Sequence, residues 1–322
     1  MIAPRIRFAS LPTPVEAMPR LSARLGGPRL WVKRDDLTGL AFGGNKTRKL
    51  EFLLAEAQAA GAKTLISVGA AQSNHCRQVA ALASKFGLDC TLVLNGDADQ
   101  QPSGNLLVDD LFGAKLEWTT RDQREMKLKQ VFDEAWAAGR RPYLIPLGGS
   151  TGLGALGYEA AFKELMDQQA NPDWIIVASS SGGTQAGLVL GAHRAQWPGK
   201  ILGISIDEPA ATLQNMVARI ASQAADIINE PHGFDPGEIL VNADYLGGGY
   251  GVLGDPEIHA IRLFAQTEGL LLDPVYTGRS AAGMIDLIRK GFFKDEEKVL
   301  FWHTGGTPAL FAGQYAPVLS ET

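Results

Sequence analysis

Short apolar, β-branched runs alternate with segments of helical spacing along nearly the whole chain. The runs fall at Thr64 to Val68, Thr91 to Leu94, Tyr143 to Ile145, Trp174 to Ala178, Ile201 to Ile206 and Val299 to Trp302. They are continuously apolar rather than alternating, the mark of strands covered on both faces in a mostly parallel sheet. Between them Leu50, Leu53, Leu54 and Ala57 recur along one helix face, as do Ala281, Met284, Ile285 and Ile288. Asp255-Pro256-Glu257 predicts a helix start, with Asp255 as its cap and Pro256 in its first turn. The class predicted is α/β.

At 322 residues the chain is long enough for about two domains. The polar stretch Asn95 to Gly104 is a surface loop, whereas Gly148-Gly149-Ser150-Thr151-Gly152 and the segment Asn229 to Tyr250 have the character of joints or lids. These boundaries predict a small α/β domain over 46–152 and a large one from 1–45 and 153–322. No internal repeat or low-complexity tract is visible.

A net charge of −5 argues against a surface built for nucleic acid or anionic lipid. The longest uncharged stretch, Trp174 to Ala192, is broken by a Ser/Gly/Thr centre and does not read as a membrane span. No signal-peptide pattern opens the chain, and Cys76 and Cys90 have neither metal-ligand nor disulfide spacing, so a reduced, cytoplasmic protein is expected. Glycine is in excess: 37 residues, against an average usage of about 7%. Several places therefore need close backbone approach.

Four features carry candidate chemistry. In Gly43-Gly44-Asn45-Lys46-Thr47-Arg48-Lys49, Asn45 is a plausible N-cap, which sets Lys46, Arg48 and Lys49 at the positive end of a helix. Three cations there are unfavourable unless an anion binds or a lysine loses its proton easily, as Schiff-base chemistry requires; a solvated basic turn is the plainer alternative. Ser179-Ser180-Ser181-Gly182-Gly183-Thr184, between an apolar strand and a helix, has the make-up of a phosphate site. Asp207 and Glu208 end the next strand, but without Gly-x-Gly-x-x-Gly a nicotinamide dinucleotide and a dehydrogenase are a remote reading. Gln72-Ser73-Asn74-His75 follows a strand and suits a carboxylate, or is an ordinary helix cap. Tyr250 among Gly247 to Gly251, Tyr276 in Asp273-Pro274-Val275-Tyr276-Thr277-Gly278, and His303-Thr304-Gly305-Gly306 form a late cluster suited to acid–base work or to closing turns. A competing motif is Gly148-Gly149-Ser150-Thr151-Gly152, which matches a nucleophile elbow with His193, His232, His259 and His303 downstream. A serine hydrolase would leave the lysine turn and the Ser/Gly loop unexplained.

Taken together, Lys33-Arg34-Asp35-Asp36, the segment Gly43 to Phe52, Gln72-Ser73-Asn74-His75, Ser181 to Gly187, Asp273 to Gly278 and His303 to Gly306 closely resemble the family of 1-aminocyclopropane-1-carboxylate (ACC) deaminase and D-cysteine desulfhydrase. The resemblance runs in order from about Leu11 to Leu310. Members are pyridoxal 5′-phosphate enzymes of the tryptophan-synthase-β fold type. It implies a homodimer, two open and mostly parallel sheets flanked by helices, and the cofactor in the cleft between them. By the same resemblance Lys46 is the Schiff-base lysine, which also moves the α-proton of an amino-acid substrate. Lys49, Ser181, Gly182, Gly183 and Thr184 resemble the phosphate cradle. Asn74 would bond the cofactor's phenolic oxygen, Ser73 and His75 the substrate carboxylate, and Tyr250 and Tyr276 would stand near the leaving group.

ACC deaminases resemble one another in carrying Glu after the tyrosine of Asp-Pro-Val-Tyr and Leu before the late glycine pair. This chain has Thr277 and Thr304 instead, resembling the desulfhydrase branch. Exchanging a carboxylate beside the pyridine ring for a hydroxyl removes the charge that keeps the ring protonated. The expected reaction is conversion of D-cysteine to pyruvate, ammonia and hydrogen sulfide, with L-cysteate sulfo-lyase or ACC deaminase as alternatives. A sulfonate would want a further cation, which no residue in the sequence identifies.

Overall fold

A computed structural model describes residues 3–320. The ten strands described are β1 (Val15–Ala17), β2 (Arg29–Arg34), β3 (Thr64–Ala70), β4 (Asp89–Asn95), β5 (Lys115–Thr119), β6 (Pro142–Ile145), β7 (Trp174–Ser179), β8 (Lys200–Ser205), β9 (Leu240–Asn242) and β10 (Lys298–His303). They form a six-stranded sheet ordered β1-β2-β10-β7-β8-β9 and a four-stranded sheet ordered β5-β4-β3-β6. All pairings are parallel except β1 with β2. Helices α1 (Pro19–Leu25) and α2 (Asn45–Ala59) flank β2 and its exit. Helices α3 (Asn74–Phe86), α4 (Gly104–Leu111) and α5 (Arg124–Ala137) alternate with the smaller sheet's strands. Helices α6 (Gly152–Asp167), α7 (Gly183–Arg194), α8 (Ala210–Ile227), α9 (Asp255–Glu268) and α10 (Thr277–Arg289) serve the larger one.

Strand alternation explains why the sheets are covered on both faces. In the smaller sheet Leu65, Leu92 and Leu94 pack under α2 and α3, while Ile66, Val68 and Val93 pack on α5. In the larger sheet Ile175, Val177, Leu300 and Trp302 meet α6, whereas Ile176, Ile204, Val299 and Phe301 meet α9 and α10. The expected helix faces hold: Leu50, Leu53, Leu54 and Ala57 are buried in α2, and Ala281, Met284, Ile285 and Ile288 in α10. Cys76 and Cys90 are unpaired and buried under the smaller sheet. Among the described residues no helix is long and apolar enough to cross a membrane.

Two expected caps move. The residue before α2 is Gly44, so Asn45 is the first helical residue and its carboxamide is free to reach elsewhere. Likewise Gly254 precedes α9, Asp255 lies inside it, and the Glu257 side chain accepts from the Gly254 amide. The segment Asn229 to Tyr250 is not wholly a loop: it contains β9, which pairs with β8. Strands β1, β2, β5 and β9 escape the search for apolar runs because they are short or interrupted by charge. In β2, buried Lys33 donates to Glu164 Oε1 at 2.6 Å, Gln168 Oε1 at 2.7 Å and the Thr13 carbonyl at 2.7 Å, so its charge is matched inside the fold.

The start of α2 is fixed by a buried carboxylate. Asp35 accepts from Arg48 Nε (2.9 Å) and Nη2 (2.8 Å), Thr13 Oγ1 (2.9 Å), Tyr158 Oη (2.6 Å) and Trp302 Nε1 (2.8 Å). Arg48 also donates to both oxygens of Glu164 on α6. Burial disfavours the Asp35 charge, but Arg48 outweighs it and holds the carboxyl below its usual range. One of the three cations expected at this helix start is thereby neutralised by two acids.

Candidate active site

A cavity of about 440 Å³ opens at the carboxyl ends of the strands, where open α/β sheets bind ligands. Of the residues expected to act, Lys46, Ser73, Asn74, His75, Ser181, Gly182, Thr184, Tyr250, Tyr276 and Thr304 line it. They come from the start of α2, the turns after β3, β7 and β10, the loop before α9 and the residue before α10. Lys49, Gly183 and Thr277 do not line it. Lys49 is buried behind the wall, donating to the Gly148 carbonyl and Ser150 Oγ, each at 3.2 Å. Gly183 lies against Ser150, and Thr277 is locked to Asp273.

Lys46 and Lys49 are the two cations of the α2 turn with no carboxylate partner among the described residues. Burial lowers the Lys46 amine to about 8, and burial together with the Lys46 charge takes Lys49 well below its ordinary value. Opposite them stands the loop before α7. Gly182 has φ +77°, a left-handed conformation that a glycine adopts without strain, and it caps a helix whose N-terminal turn, with Gly182 and Thr184, borders the cavity. Asn45 Nδ2 donates to Thr184 Oγ1 at 2.9 Å, tying α2 to this loop, and the Ser150 and Ser181 hydroxyls are 2.7 Å apart. Two lysine amines without a carboxylate partner, beside a helix N-terminus and several hydroxyls, fit a phosphorylated aldehyde: an amine to join the carbonyl carbon and a cradle for the phosphate.

Ser73 is the N-cap of α3, its hydroxyl accepting from the Cys76 amide at 3.2 Å. The first-turn amides of Asn74 and His75 follow it, where a helix leaves N–H groups unmatched. The His75 side chain differs from expectation. Ser67 Oγ donates to the Ile145 carbonyl at 2.8 Å, so it accepts from His75 Nε2 at 2.9 Å. Burial and the two lysines push the imidazole well below its ordinary value. A neutral ring with its hydrogen turned to Ser67 offers the cavity no side-chain donor.

The Tyr250 and Tyr276 hydroxyls are 2.7 Å apart. Burial raises both phenols above their usual range. Asp273 holds Tyr276 in place, accepting from the amides of Val275 (3.1 Å), Tyr276 (3.0 Å) and Thr277 (2.7 Å) and from Thr277 Oγ1 (2.7 Å). Thr277 Oγ1 in turn accepts from the Asp273 amide at 2.7 Å, so its hydroxyl is fully engaged. Thr304 alone of the two threonines reaches the cavity.

Four lining residues escape sequence reasoning, namely Arg121, Arg124, Leu147 and Met216, and Asn95 is read there only as the start of a surface loop. Both arginines follow β5, and an unread strand hides the loop at its carboxyl end. Asp207, noted only as a strand end, also lines the cavity, its carboxyl raised by burial. The hydrolase geometry is not assembled. Ser150 contacts Lys49, Ser181 and Gly148, whereas His193 stacks on His232 and His303 Nε2 lies 3.1 Å from the Leu271 carbonyl.

Fold and site together describe an enzyme with a cavity fit for a phosphorylated cofactor at the carboxyl ends of its parallel strands. Residues 6–305 match the family model described as "Pyridoxal-phosphate dependent enzyme", and the chain belongs to that family. Its cofactor is pyridoxal 5′-phosphate. Among solved structures, an ACC deaminase homologue is 37% identical with a TM-score of 0.89, covering 98% of this chain and 95% of that one. An L-serine ammonia-lyase from Rhizomucor miehei is 17% identical, with a TM-score of 0.69 and coverage of 96% and 97%. A hydrogen sulfide-producing enzyme from Fusobacterium nucleatum is 15% identical, with a TM-score of 0.64 and coverage of 92% and 96%. At those identities the latter two show the shared fold.

Proposed function

We propose that the protein is a carbon–sulfur lyase that converts D-cysteine to pyruvate, ammonia and hydrogen sulfide. The observation that carries the reading is the uncharged character of the pair 277 and 304. Thr277 is consumed by Asp273, and Thr304, which lines the cavity, has no charge to bring to it. Pyridoxal phosphate, when bound, supplies an electron sink for negative charge at the substrate's α-carbon. With no carboxylate at 277 or 304 to keep its ring protonated that sink would be weaker, which would suit loss of a good thiolate leaving group better than opening of a cyclopropane.

The chain's own residues supply the rest. Lys46 Nζ, whose pKa burial lowers to about 8, takes the α-proton once its own is lost. The amides at the start of α3 and the Ser73 hydroxyl hold the substrate carboxylate. The Tyr250–Tyr276 pair, both phenols protonated at neutral pH, offers a proton to the departing sulfur.

A second reading, elimination of sulfite from L-cysteate, is favoured by Arg121 and Arg124, which supply the cations that a sulfonate would want. Steady-state assays of D-cysteine, L-cysteine, L-cysteate, β-chloro-D-alanine, D-serine and ACC, reading pyruvate or 2-oxobutyrate, separate the possibilities. Highest kcat/KM on D-cysteine supports the first reading. Highest efficiency on L-cysteate, lost in Arg121→Ala, replaces it with the second. Highest efficiency on ACC overturns the argument from Thr277 and Thr304.

A further inference from the structure

We propose that Asn105, gripped by Arg77, is a positioning residue that turns the Asn74 carboxamide so that its NH2, and not its oxygen, faces the cofactor's phenolic oxygen. The inference rests on Asn74 meeting the cofactor ring and not on the choice of substrate.

The two ends of a side-chain amide are told apart by the donors and acceptors that face them. Arg77 is fully buried and can only donate; its Nη1 gives a hydrogen bond to Asn105 at 3.0 Å. The Asn105 atom facing it is therefore the oxygen, Oδ1. The other end of the same amide is then Nδ2, which donates to the Gln72 carbonyl at 2.9 Å, an acceptor that could not have been satisfied by an oxygen. The second hydrogen of Nδ2 goes to Asn74 Oδ1, also at 2.9 Å. Asn74 thus has its oxygen committed to the interior, and its NH2 remains on the cavity side, since Asn74 lines the cavity. A donor there suits a phenolic oxygen that carries negative charge; an acceptor would repel it.

The relay is rigid at each step. Asn105 is fully buried in the first turn of α4, and its backbone amide donates to Gln72 Oε1 at 2.8 Å, while Gln72 Nε2 donates to the Ser103 carbonyl at 2.9 Å. Arg77 Nη2 donates to the Gly43 carbonyl at 2.9 Å, so the same guanidinium holds the glycine turn that precedes Lys46. One charged group therefore orients the amide expected beneath the ring oxygen and steadies the entry to the lysine expected to hold the carbonyl carbon.

The test uses Asn105→Asp, nearly identical in shape, which keeps an oxygen for Arg77 but faces Asn74 with a second oxygen. Asn74 must then turn its NH2 inward and its carbonyl toward the cofactor. Reconstitution of cofactor-free protein, followed by pyridoxal-phosphate fluorescence and absorbance, is expected to show a dissociation constant raised about tenfold or more and a displaced visible absorption maximum. Asn105→Ala, in which Asn74 is free to take either orientation, is expected to fall between Asn105→Asp and wild type, and it carries the comparison if Asn105→Asp fails to fold. In an Asn74→Ala background neither substitution at 105 should change affinity or spectrum further. Wild-type affinity and an unmoved band in both variants would overturn the proposal. So would an equal loss with Asn74 already removed. An Asn74→Ala protein with unchanged affinity and spectrum would show that Asn74 does not meet the ring, and the relay would fall with that assignment whatever the substrate screen gave.

Discussion

The phenol oxygens of Tyr250 and Tyr276 lie 2.7 Å apart at the edge of the cavity, one from a glycine-flanked loop and the other immediately before α10. One hydroxyl must donate to the other, which leaves a single phenolic hydrogen for substrate.

Removal of either hydroxyl should therefore break the proton path rather than substrate binding. Tyr276→Phe and Tyr250→Phe are each expected to lower kcat by about 10²-fold or more with little change in KM, the scale of general acid catalysis. Steady-state kinetics on the best substrate decide it, with the visible spectrum as a control for cofactor loading. Rates close to wild type in both variants would take the tyrosines out of the reaction.

The Lys46 amine gives a pH signature in the cofactor-free protein. Its pKa is lowered to about 8 in the folded chain, so between that value and the ordinary 10.5 the unfolded chain holds a proton that the folded one has lost. Stability from this group therefore rises with pH across the window, and below it the buried charge is a constant cost. Lys46→Met should stabilise the cofactor-free protein at pH 7 by up to about 3 kcal/mol, a gain that shrinks toward pH 10. Denaturant titrations at several pH values test this. The same variant should lack the wild type's visible absorption after incubation with pyridoxal phosphate.

Asp35 is the hub of a buried network, and its carboxyl is depressed below the usual range near 4. A depressed acid contributes stability that is present above the unfolded value and lost as pH falls through the folded one. Asp35→Asn should cost about 3–5 kcal/mol at pH 7, because Arg48 keeps its buried charge and loses one of its two acids. It should also flatten the decline in stability below about pH 4. Urea unfolding across pH 3 to 7 measures both effects.

Gly157 on α6 touches α2 directly: a Cβ there would lie 2.4 Å from the Arg48 carbonyl oxygen and 2.9 Å from the Lys49 amide nitrogen. Backbone cannot yield as a flexible side chain does, so Gly157→Ala should push α2 outward and destabilise by about 1–3 kcal/mol. Because α2 carries Lys46, cofactor affinity should fall as well. Thermal melts with and without pyridoxal phosphate distinguish the two effects.

The sheet centres were legible because continuously apolar strands admit few other readings. Leu65, Ile66, Val93, Ile176 and Phe301 are buried on whichever face they point to. Charged β2 was hidden because Lys33 is matched by Glu164, 131 residues away, a pairing that local pattern does not reveal. Missing β5 concealed Arg121 and Arg124, which stand at its carboxyl end. The lysine turn, the serine–glycine loop and the tyrosines could be read because glycine beside reactive side chains marks backbone close to a ligand. The orientation of Asn74 could not be read, since it depends on Asn105 of α4, itself turned by Arg77, folding against α3 from 31 residues away.

The two cysteines have a use that chemistry at the cavity does not require. Cys76 and Cys90 lie under the smaller sheet with their thiols raised by burial, so in the closed fold neither ionises readily nor meets solvent. Alkylation must wait for that sheet and α3 to separate. The rate at which a thiol reagent labels the native protein therefore times the opening of the half of the molecule that carries Asn74, and its slowing by pyridoxal phosphate would report how far a ligand at the cavity is felt in a core it does not touch.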